Sequence, residues 1–83
     1  MTKDALRDAV LAVPLERRLA VAIAALGVQK QAVAESAGIP NTLFSRTLGG
    51  YRQPPPDECR AIAKAIGLSV ADLFGDEVEA QCA

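Results

Sequence analysis

The chain has no histidine and no tryptophan, and only one tyrosine, two phenylalanines and two cysteines among its 83 residues. Without histidine it lacks the side chain most used for proton transfer near neutral pH and for holding metals. No G-x-S-x-G nucleophile elbow and no glycine-rich phosphate cradle makes up for that. The acids are scattered, most of them near helix starts. The sequence therefore argues against an enzyme and assigns no catalytic residue, no metal and no cofactor. No run of 18 apolar residues occurs, so no membrane span is expected, and the opening MTKDALRD lacks the layout of a signal peptide. Cys59 and Cys82 are too few for a disulfide framework and are read as reduced thiols of a cytoplasmic protein. Strand-length alternation, internal repeats and linkers are missing as well.

What is present is alanine-rich and helical in character. Hydrophobic residues make up 51% of the chain, much of it alanine, which favours helices and lets their axes approach closely. A chain this short forms one domain that buries only roughly 60–65% of its unfolded surface. The net charge is −1 and the pI about 5.2, which at face value opposes a nucleic-acid partner. The distribution differs from the mean. Between residues 17 and 56, five basic residues (Arg17, Arg18, Lys30, Arg46 and Arg52) face one acid, Glu35. Beyond residue 64 the only charges are the acids Asp72, Asp76, Glu77 and Glu79. A basic middle of this kind attracts phosphate despite the acidic total.

Periodicity and punctuation predict the helices. Residues 2–12 form the first, with Thr2 as N-cap and Leu6, Val10 and Val13 as an apolar stripe that suits either extra core or a dimer contact. Pro14 opens a second helix over 14–26, with Leu15, Leu19, Ile23 and Leu26 on one face, Arg17 and Arg18 off it, and Gly27 as its stop. A third helix, 29–37, ends at Gly38, and Pro40 opens a fourth over 40–49 that Gly49 and Gly50 end. The three prolines of GYRQPPP exclude helix from the next stretch. A fifth helix covers 57–66, with Asp57 and Glu58 at its start and Lys64 in its last turn. Cys59 falls on its inward face beside Ile62 and Ile66 and is read as a small core hydrophobe. Ser69 to Asp72 spells a capping box before a short turn ending at Phe74. Residues 76–83 read as an acidic, disordered tail carrying Cys82 as an exposed thiol. Residues 1–13 are thus an added N-terminal helix, and 14–75 the domain proper.

Two short helices around Gly38-Ile39-Pro40 make a tight corner with the layout of a helix-turn-helix. Ala34 offers the small contact residue, Gly38 the positive φ, and Phe44 the bulky anchor. The stretches GVQKQAVAESAGIPNTLFSRTLGGYRQP and AIAKAIGLSVADLF carry a resemblance to the lambda repressor-like (Xre/Cro-type) helix-turn-helix domains, covering residues 15–74. The resemblance implies an all-α, compact domain of five to six helices whose helix 40–49 enters the DNA major groove. Carried over by position, Asn41, Thr42, Ser45 and Arg46 face bases, and Lys30, Gly49, Gly50, Tyr51 and Arg52 face phosphates. The sequence departs from the family pattern in the Pro40 cap, in Thr47 where an aliphatic is usual, and in the added first helix.

Plainer structural readings stand beside these. Asn41 and Thr42 also suit helix capping, Ser45 and Arg46 a solvated helix face, Lys30 an ordinary surface position, and Tyr51 a cover for the helix end. The function implied is a small sequence-specific DNA-binding regulator, a repressor that binds an inverted-repeat operator in double-stranded DNA as a homodimer. The alternative keeps the helix-turn-helix but uses it to bind another regulatory protein, as an anti-activator masking a transcription factor does. An antitoxin that binds both DNA and a toxin would fit the same residues, and nothing in the chain selects it.

Overall fold

The computed structural model describes residues 2–82, with side chains as far as Gln81, and it is all-helical. Seven helices follow in order among these residues: α1 (Lys3–Leu11), α2 (Leu15–Leu26), α3 (Lys30–Ala37), α4 (Asn41–Leu48), α5 (Pro56–Ile66), α6 (Val70–Phe74) and α7 (Asp76–Cys82). They pack into a body 28 × 28 × 20 Å. No helix among the described residues is long and apolar enough to cross a membrane. The largest fully buried side chains, Phe44, Ile62, Leu73, Val10 and Cys59, come from α4, α5, α6 and α1, so one core ties the chain together.

The local chemistry explains where helices begin and end. Thr2 Oγ1 accepts the Ala5 N–H at 3.2 Å to start α1. Leu6 and Val10 of α1 are buried in the core, which decides the role of that stripe within a single chain, while Val13 is half-buried. In α2 the apolar face is narrower than expected. Leu19, Ala22 and Ile23 are buried, but Leu15 and Leu26 at its two ends stay 47% and 37% exposed. Only the two central turns lie over the core, and Ala22, which the expected stripe left out, completes the i, i+3, i+4 contact.

Ser69 Oγ accepts the Asp72 N–H at 3.1 Å, which starts α6. The second half of the expected capping box goes elsewhere: the Asp72 carboxylate accepts from Arg7 Nε at 3.2 Å. Arg18, read from the sequence as lying off the packing face, donates Nε to the Val13 carbonyl at 3.1 Å and Nη1 to the Asp72 carbonyl at 3.2 Å. Two arginines therefore fasten α1, the α1–α2 turn and α6 to one another.

The segment expected to be a disordered tail continues instead as α7, which makes seven helices where five or six were expected. Gly75 sits at φ 99, ψ 164, a conformation open essentially to glycine alone, and redirects the chain there. Val78 then packs against the core. Glu79 Oε2 accepts the Ala71 N–H at 2.8 Å, filling one of the donors left open in the first turn of α6. A single apolar residue and one acid reaching back are too sparse a pattern to stand out in a segment this acidic. The side chain of Cys82 lies outside the described residues.

Candidate nucleic-acid interface

Helix α3 buries Val33 and Ala34 and stops at Gly38 in the left-handed region, φ 72. The Ile39 N–H donates to the Ala34 carbonyl at 2.9 Å, and Ile39 is itself buried. That pairing is a Schellman stop, which ties off the helix with a hydrophobic residue just beyond it. The full burial of Ala34 matches its expected place as the small contact residue of the corner. Pro40 follows at φ −58, ψ 140 and leads into α4 without any side-chain cap. Asn41 and Thr42, which the sequence left open as capping residues, make no such bond.

The eight residues of α4 divide into two arcs. At 100° per residue, positions 41, 42, 45 and 46 span about 140° of the helix circumference, and 43, 44, 47 and 48 take the opposite side. Phe44 and Thr47 are buried, Leu43 and Leu48 are half-buried, and Asn41, Thr42, Ser45 and Arg46 are all exposed. The four residues expected to face bases thus share one open face. Thr47, which departs from the aliphatic expected there, has its hydroxyl satisfied. It donates to the Leu43 carbonyl at 3.1 Å and accepts from Arg52 Nη1 at 3.3 Å, so burial leaves no orphaned polar atom.

The five residues expected to face phosphate separate into two groups. Lys30, the first residue of α3, and Tyr51, 87% exposed, are open to solvent. The Gly49 N–H donates to the Ser45 carbonyl at 3.0 Å and the Gly50 N–H to the Thr47 carbonyl at 3.3 Å. With the Tyr51 N–H on the Arg46 carbonyl at 3.0 Å and Gly50 at φ 79, this is a second Schellman stop. These amides close α4, and the phosphate contact expected of them is not available while they do so. A side chain at Gly49 would meet the Tyr51 ring at 2.9 Å, so the ring lies directly over the helix end.

Arg52 is likewise committed inside the chain. Its Nη1 and Nη2 donate to the two carboxylate oxygens of Glu58 at 2.7 and 2.8 Å, a bidentate pair whose partners are 23% and 25% exposed. The hydrogen bond from Arg52 holds the Glu58 carboxyl below the usual glutamate range, and the same bond raises the Arg52 guanidinium further. In the free chain Arg52 is thus not the open phosphate grip that was expected of it: its charge is neutralised across the proline loop. A basic residue and an acid six apart, with three prolines between them, was the only signal for this pair, and Glu58 had a competing reading at the start of α5. Of the bases in the middle of the chain, the side chains of Arg17, Lys30 and Arg46 make no ion pair or hydrogen bond among the described residues.

Cys59 is fully buried on α5 as expected, with its thiol donating to the Pro54 carbonyl at 3.6 Å. That contact fixes the end of the loop carrying Tyr51 and Arg52. Comparison of the chain with family models, curated proteins and solved structures gives no match.

Proposed function

We propose that the chain is a small, non-enzymatic, sequence-specific DNA-binding regulator of the lambda repressor-like helix-turn-helix type, a cytoplasmic repressor that acts as a homodimer. The observation that carries this reading is the division of α4. Asn41, Thr42, Ser45 and Arg46 share one exposed arc, while Phe44 and Thr47 hold the opposite arc against the body. The chemistry of that arc suits base edges. Asn pairs bidentately with adenine, Arg with guanine, and Thr offers a hydroxyl and a methyl to thymine. Lys30 and Arg46 contribute positive charge that no acid among the described residues neutralises.

The size of the body supports two copies. Its longest dimension is 28 Å, shorter than the roughly 34 Å between successive major-groove entries on one side of B-DNA. One chain reads one groove, and a symmetric pair reads an inverted repeat. Titration against DNA from upstream of the protein's own coding sequence, at two salt concentrations, tests the reading. Tight binding that weakens steeply with salt is expected, and Arg46→Ala should cost about ten- to a hundredfold in affinity while leaving the fold intact. Absence of binding at micromolar protein and low salt would sink it.

A further inference from the structure

A groove of about 730 Å³ runs between the start of α2, the loop that follows α4 and the α6–α7 corner. That volume is within the range of sites that hold several side chains. Leu19 and Leu73 are buried at its base, and Leu15, Phe74 and Val78 form apolar walls. Leu15 and Tyr51, both lining it, are the two most exposed large apolar side chains of the chain's described residues, at 47% and 87%. Side chains left in water around a preformed concavity gain free energy when a partner covers them.

The charges at the rim are of one sign. Glu16, Asp76 and Glu77 line the groove, all three are exposed, and none has an ion pair or hydrogen bond through its side chain among the described residues. The only basic residue lining it is Arg52, which Glu58 neutralises. Nucleic acid is repelled by such a rim, and so is an acidic partner. We infer that this groove docks a basic amphipathic segment of another protein, whose leucine-like anchors pack on Leu15, Phe74 and Val78 while flanking lysines or arginines meet Glu16, Asp76 and Glu77. Apolar contact provides the adhesion, and the acidic rim selects the sign of the partner and speeds its approach. The inference does not rest on the DNA-binding reading, since the groove excludes the exposed arc of α4.

The test uses the full chain and two labelled synthetic peptides, one of alternating leucine pairs and lysine pairs, the other with every lysine replaced by glutamate. Fluorescence anisotropy measures affinity, and amide chemical shifts locate the contact. The lysine peptide should bind at least about tenfold more tightly than the glutamate peptide, with shifts concentrated at Leu15, Tyr51, Phe74 and Val78. The double change Glu16→Lys, Glu77→Lys should reverse that preference. The milder Glu16→Gln, Glu77→Gln pair, which leaves the first turns of α2 and α7 without repulsive charge, should weaken the lysine peptide and spare the glutamate one. Equal affinity for both peptides, shifts spread over other faces, or a preference unmoved by the glutamine pair would overturn the inference. So would a dimer of the free protein that buries this groove, because the occupant would then be a second copy.

Discussion

Phe44 and Thr47 hold the same face of α4 by different physics. Phe44 is buried hydrocarbon at the centre of the core, and Phe44→Ala is expected to cost about 3–5 kcal/mol. That leaves little of the stability of a domain at the lower end of the usual 5–15 kcal/mol, so urea titration should show the variant only marginally folded, with its transition beginning at or near zero denaturant. Phe44→Leu should stay folded with a lower midpoint. Thr47 instead holds its place through hydrogen bonds to the Leu43 carbonyl and Arg52, and Arg52 is itself held by Glu58. Because the Glu58 carboxyl titrates below its ordinary value of about 4.3, the native state binds fewer protons than the unfolded chain in that acid range. The stabilisation is therefore complete above the ordinary value and is lost as pH falls through the lowered one. Melting curves from pH 7 to pH 3 should show Glu58→Gln with a lower melting temperature near neutrality and a shallower decline into acid. Parallel curves for the two proteins would remove the pair from the account of the loop.

Helix placement was legible at the level of elements because the chain marks its own ends. Thr2 and Ser69 cap as expected, and Gly27, Gly38 and Gly67 each take the left-handed stop after α2, α3 and α5. Proline marked the start of α2 and of α4 but sits at the cap position in both, one residue before the helix. The open face of α4 came from the resemblance, carried over by position, with Phe44 as the anchor read from the residues themselves; in the structure Phe44 is buried and Asn41, Thr42, Ser45 and Arg46 are exposed. What was not legible depends on partners distant in sequence. Leu15 fits the α2 stripe yet lies beyond the core edge, and Arg52 looked available until Glu58 came within 2.7 Å. Helix α7 is the largest case, as its order comes from Val78 on the core and Glu79 on the Ala71 N–H. Glu79→Ala should weaken that docking by about 1 kcal/mol. Hydrogen exchange at α7 amides should quicken severalfold while those of α5 hold, and unchanged exchange in α7 would mean that Val78 alone retains it.

Across the whole molecule the acidic total and the proposed DNA partner are compatible because the charges are separated. Asp76 and Glu77 border the groove at the C-terminal end of α4, together with Gly50 and Tyr51, whereas Asn41 and Thr42 open the other end of that helix. The internal use of Arg18 and Arg52 also limits how strongly DNA binding should depend on salt. On the α3–α4 face, Lys30 and Arg46 are the basic residues that stay uncommitted, two per copy and four per symmetric pair. Each neutralised phosphate contributes about 0.9 to the logarithmic salt slope, so a dimer on an inverted repeat should show a slope no steeper than about −4. Selection from random duplexes supplies the sites for that measurement and should enrich inverted repeats whose halves lie about 10 base pairs apart. Lys30→Ala in both copies should flatten the slope by about two with little change in the sequence selected, while Arg46→Ala should relax the preference at one position of each half-site. Enrichment of single, unrepeated sites would instead assign the binding unit to one chain, and a slope much steeper than −4 would mean that a base off the α3–α4 face reaches phosphate as well, either the unpaired Arg17 or Arg52 released from Glu58.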